Sequence, residues 1–205
     1  MACAVLVYGM SRVTGMKPET MVLVGTALSY LFSAGTSLLE IFADEHKLSE
    51  VVRWSFGSVN GATWPQDGIV ALFVTVCSLL LILLAPKINV MMMGDDVLAK
   101  SMGIRTDFLR SVILIVSVLM TAAIISYTGV IGFVGLIAPH IGRRLIGEDN
   151  RYLIPFSGII GGVLLLLSDI IGRSVMAPAI LPVGIIISFL GVPVFLSLIW
   201  KRGRS

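Results

Sequence analysis

Few residues of this sequence place a charge or a nucleophile in an apolar setting, and chemistry has to be sought among those few. Asp169 stands in the run Leu164-Leu165-Leu166-Leu167-Ser168-Asp169-Ile170-Ile171, which is otherwise greasy enough to lie in a bilayer. An ionisable group at the centre of a membrane helix costs about 2.5–3.5 kcal/mol on insertion scales, so it needs a partner or a task. Arg173 follows four residues later, on the same helical face and near enough to the end of the run to reach water. The spacing predicts an orienting ion pair in preference to a proton relay, for which an acid standing alone would have argued. His140 follows Pro139 with no cysteine or carboxylate at ligand spacing, so a packed, hydrogen-bonded histidine is expected and no metal site is predicted. Ser29, Thr121, Ser126 and Ser188 have no base set beside them, which leaves intramembrane hydrolysis unsupported. Cys3 and Cys77 lie far apart in apolar surroundings and are expected to be packed thiols. No catalytic group and no cofactor follows from these residues.

The elements that position them belong to a chain of 205 residues, 57% hydrophobic and 13% charged, about half the charged share of an average soluble protein. That composition predicts an all-α, polytopic transmembrane bundle. Gaps between apolar runs are short, so no soluble domain has room to form and any nucleotide binding is expected from other chains. At about 20 apolar residues per crossing, spans are predicted at 21–41, 68–86, 108–128, 129–146, 153–175 and 182–200. Residues 1–10 are too short to cross and lack the basic start and cleavage site of a signal peptide. They read as the tail of a helix begun upstream, as if the chain were truncated at its N-terminus.

An even number of crossings puts both ends on one side of the membrane. All of the 15 basic residues except Lys47, Arg53 and Arg173 fall on that side, which the positive-inside bias makes cytoplasmic, C-terminus included. The net charge of +3 is therefore a matter of orientation, and no nucleic-acid partner is predicted. The longest external connection, 42–67, carries Leu48, Val51, Val52, Trp54 and Phe56 at a spacing that suits a short helix lying at the surface. Val24-Gly25 with Ser29-Tyr30-Leu31 is echoed by Val183-Gly184 with Ser188-Phe189-Leu190, in spans that cross in opposite directions, as an inverted repeat would give.

Two stretches promise contact with other helices or chains. In 129–147, Gly129, Gly132 and Gly135 recur at intervals of three, Pro139 interrupts the run, and Arg143-Arg144 close it. Glycines so spaced share one helix face and let another backbone approach, while a proline at membrane depth needs neighbouring protein or water for the carbonyl it frees. The cytoplasmic connection 86–107 is too polar to cross and too greasy for a free loop. A short amphipathic helix is predicted within about 90–106, with Gly94, Asp95 and Asp96 at its start, Ala99 and Lys100 along it and Gly103 at its stop. Such a helix suits a groove on a partner.

These stretches together resemble the FecCD family of ABC-transporter permeases, which import iron-siderophore, haem and corrinoid complexes. The likeness lies in 129–147, in 94–104 as the family's coupling helix, in Ser168-Asp169-Ile170-Ile171-Gly172-Arg173, and in Leu181-Pro182-Val183-Gly184 with Gly191-Val192-Pro193. The resemblance implies one permease domain over 1–205, holding about six of the family's ten crossings. It implies a second permease copy, a cytoplasmic ATP-binding subunit and an external substrate-binding protein as partners. By the same resemblance Gly94, Asp95, Asp96, Ala99, Lys100 and Gly103 face the ATPase, Arg173 meets the binding protein, and Pro182 and Gly184 join Gly129, Gly132, Gly135, Pro139 and Asp169 in packing and path. Two departures stand out: Ile180 replaces an acid usual before Leu-Pro-Val-Gly, and 94–103 is one residue longer than usual. The rival readings are a non-transporting fragment or assembly partner, and an intramembrane enzyme, which would need a second titratable group beside Asp169 or His140.

Overall fold

A computed structural model describes residues 9, 18–59, 63–93, 96–175 and 181–202. The regular structure among them is helical: α1 Pro18–Ile41, α2 Glu45–Ser55, α3 Trp64–Met93, α4 Asp96–Ser101, α5 Thr106–Thr128, α6 Val134–Ile146, α7 Asn150–Val175 and α8 Val183–Arg202. Four of these, α1, α3, α5 and α7, are long and apolar enough to cross a membrane. At 1.5 Å per residue the 30 residues of α3 reach about 45 Å, well beyond a hydrocarbon core of about 30 Å. The helix is therefore longer than one crossing requires.

The bundle is organised around α7, which packs on α6, α3 and α8, while α3 also holds α5 and α6 touches α8. The faces that meet are built of small residues. On α6 and α7, Gly142 lies against Leu153 and Ser157, and Gly161 against Val134 and Ala138. The helix α1 stands outside this packing, with none of its apolar stretch buried. Three of its hydroxyls bond back within the helix: Thr26 donates to the Val22 carbonyl, Ser29 to Gly25 and Thr36 to Phe32. The hydroxyl of Ser188 donates in the same way to the Gly184 carbonyl at 2.7 Å, matching the 2.9 Å bond from Ser29 to Gly25. The sequence echo between α1 and α8 is thus also an echo in hydrogen bonding.

The structure corrects the predicted span 129–146. Gly129 ends α5 with φ 70°, Phe133 has φ 63°, and α6 begins only at Val134, leaving 13 helical residues. The glycines do not share a helix face, because only Gly135 of the three is helical. The reason is local: glycine in that conformation is a helix stop, and the β-branched Val130-Ile131 that follows gives no incentive to resume. Residues 1–8 and 10–17, and with them the expected upstream helix tail, Cys3, Arg12 and Lys17, lie outside the described residues, as do Gly94, Asp95 and Ile180.

Candidate functional site

One end of the bundle is a seat for α4. Ala85 of α3, Ala99 of α4, and Thr106 and Leu109 of α5 are all buried, and α4 touches both α3 and α5. Ala99 is 0% exposed, whereas Leu98 and Met102, four residues apart on one flank, are 51% and 63% exposed. This corrects the placing of Ala99 on the outer surface: it is the residue by which α4 sits down, and Leu98, Lys100 and Met102 are what it presents. The stop works as its sequence implied. The amide of Ile104 donates to the Ala99 carbonyl and that of Gly103 to Lys100, closing a Schellman turn around Gly103 at φ 78°, a conformation that costs an L side chain about 1–2 kcal/mol.

Beside this seat lies a polar cluster that sequence reasoning missed. Asn89, in the last turns of α3, donates its amide to Asp149 Oδ1 at 2.7 Å and accepts from the Asn150 main chain at 3.0 Å and side chain at 2.7 Å. The Asn150 amide also reaches Met92 Sδ at 3.2 Å. Asp149 is the N-cap of α7, taking the Arg151 amide on Oδ1 at 3.0 Å. The Arg151 main-chain bond, the Asn89 amide and the Arg151 charge hold the Asp149 carboxyl below its ordinary value of 3.8. The signal available in sequence was the Asp149-Asn150 pair after Gly147, a capping pattern; its partner 60 residues earlier was not legible.

At the other end a joint is made by main chain. The amide of Ser58 donates to the Thr128 carbonyl at 2.7 Å and that of Val130 to Trp54 at 3.3 Å. A Cβ on Gly129 would collide with the Trp54 carbonyl, one on Gly184 with the Phe56 carbonyl, and one on Gly57 would lie 2.6 Å from the Val130 carbonyl. The surface helix α2, predicted from its apolar spacing, is thereby fastened to the α5–α6 connection and to the start of α8. Nearby, the Leu181 amide donates to the Gly172 carbonyl, and Pro182 precedes the first turn of α8. Asp169 and Arg173 form the expected pair, Nε to Oδ2 at 2.8 Å, with side chains 20% and 51% exposed.

Other predicted residues fall differently. Nothing lies within 4 Å of a Cβ built on Gly132 or Gly135, so the close backbone approach expected there is not made by this chain. Of the three spaced glycines, Gly129 does meet another backbone, and close approach falls also on Gly57, Gly142, Gly172, Gly184 and Gly191. Pro139 is inside α6 as expected. His140 is packed, but its Nε2 is buried without the expected hydrogen bond. Cys77 is a half-buried free thiol. Among the described residues no group of acids, histidines and cysteines could hold a metal ion.

A bundle of apolar helices, a short amphipathic helix seated at one end and a main-chain joint at the other define a polytopic membrane protein of the permease class. The chain belongs to the FecCD transport family, whose model matches residues 1–201. An ABC transporter permease of Methanocaldococcus jannaschii is 41% identical over 96% of this chain and 56% of its own length. The iron(3+)-hydroxamate import system permease protein FhuG of Bacillus subtilis is 35% identical over 97% of this chain and 59% of its own. A solved ABC transporter of metal-chelate type, in an inward-facing conformation, superposes with TM-score 0.87 and 32% identity over 97% of this chain and 63% of that one. The chain thus spans somewhat more than half the length of the relatives it matches.

Proposed function

We propose that the chain serves as permease in an ATP-driven importer of ferric siderophores or related metal chelates. The observation that carries this is α4: a six-residue helix held by Ala99 between α3 and α5, closed by Gly103, and offering Leu98, Lys100 and Met102 outward. In a family member, that is a handle for a cytoplasmic ATP-binding subunit. Its side of the membrane is cytoplasmic because the basic residues gather there, and the C-terminus lies on that side as well. The external end, with α2 and Arg173, then receives a substrate-binding protein, and a second permease copy completes the path. The permease itself performs no chemistry; ATP is hydrolysed by the partner.

The named relative that imports iron(3+)-hydroxamate supports a chelate cargo. The test is transport by the complete subunit, reconstituted with its ATPase and binding protein, of labelled ferric hydroxamate, ferric citrate, haem and corrinoid in parallel. Accumulation of a ferric siderophore that depends on ATP is expected. ATP-independent accumulation, or none of any chelate, overturns the reading.

A further inference from the structure

The cluster of Asn89, Asp149 and Asn150 joins the last turns of α3, the helix before α4, to the first turn of α7. Asn89 is on α3, the helix that precedes α4 and forms one wall of its seat. Asp149 caps and Asn150 begins α7, whose 26 residues run about 39 Å, with Gly172 and Arg173 in the last turn at the opposite end. Capping α7 requires only Asp149, which already holds the Arg151 amide. Asn89 adds something a cap does not need: one side chain from another element that donates to the cap and accepts from the first residue of the capped helix. With the sulfur of Met92 taking a further bond one turn on, α3 and α7 are tied by directional contacts, which resist sliding in a way that apolar packing does not.

We propose that this cluster is a latch that carries the ATPase stroke from α4 and α3 into α7, with Asn89 its positioning residue. The proposal rests on the importer reading above. Breaking the latch leaves α4 seated and the ATPase docked, but lets α3 move without α7. Hydrolysis then continues while less cargo crosses.

The test uses the complete importer in proteoliposomes, with iron-labelled ferric hydroxamate as the probe, and reads cargo moved per ATP hydrolysed. Asn89→Ala removes three hydrogen bonds and should lower that ratio about fivefold or more, with ATPase binding unchanged. Asp149→Asn keeps an oxygen for the Arg151 and Asn89 donors and should retain most of the ratio. If Asn89→Ala does not assemble, Asn150→Ala, which removes the side-chain bonds and leaves the main-chain one, is read in its place. A parent-like ratio in an assembled Asn89→Ala or Asn150→Ala complex overturns the latch alone. A parent complex that neither hydrolyses ATP nor moves the chelate overturns the importer reading and the latch with it.

Discussion

Single residues in this chain matter mainly where main chain meets main chain. Gly184→Ala and Gly129→Ala each thrust a methyl group at a carbonyl oxygen, and overpacking of this kind costs about 1–3 kcal/mol. Gly129 adds the strain of its positive φ. Both variants should unfold at clearly lower temperature in detergent, whereas Gly132→Ala, with open space around it, should stay within about 0.5 kcal/mol of the parent. Equal melting of all three would contradict the joint. At the exposed end of α7, Arg173→Ala leaves Asp169 near enough to water to hydrate, so expression should hold while capture of the binding protein weakens and loses salt sensitivity. Titrating immobilised binding protein at two ionic strengths reads both effects. Normal capture with pH-dependent loss of transport would instead mark Asp169 as a proton carrier.

The helices show where sequence patterns suffice and where they fail. The long runs of α3, α5 and α7 were legible because composition alone marks a crossing, and the amphipathic spacing of α2 was clear. In 129–146 a three-residue glycine spacing fits a helix face and a broken helix equally well; Gly129 before two β-branched residues was the better clue. The short α4 gave too little periodicity to decide which face turns inward, since Ala99 is buried where α4 meets α3 and α5, elements outside its own pattern. Two expectations follow. Replacing Leu98 and Met102 together with Ala should weaken ATPase binding more than tenfold, because burying each such side chain contributes about 1.5–3 kcal/mol; pull-down of the ATPase measures it, and an undiminished yield would place the contact elsewhere. The Asp149 cap is also sensitive to acid. Its carboxyl is held low when folded, so its contribution is whole above the ordinary value of 3.8 and fades as pH falls through the lower folded value. The stability gap between parent and Asp149→Asn, followed by thermal unfolding against pH, should close toward the acid end and stay constant near neutrality.

For the whole molecule the decisive quantity is sidedness. The two clusters of contacts, α4 with the Asn89 latch at one end and the Gly57, Gly129 and Gly184 joint at the other, assign every helix end by parity, so a single label orients the chain. A cysteine at Lys100 should react with membrane-impermeant maleimide only in inside-out vesicles. Reaction in intact cells would invert the topology throughout. The joint also sets a clock. Contacts made by backbone leave no rotamer to turn on the picosecond scale, so they part only when whole helices shift, on the microsecond-to-millisecond scale. The amides of Ser58 and Val130, which bridge it, should therefore exchange their hydrogens at one common rate, the rate at which that end of the bundle itself opens.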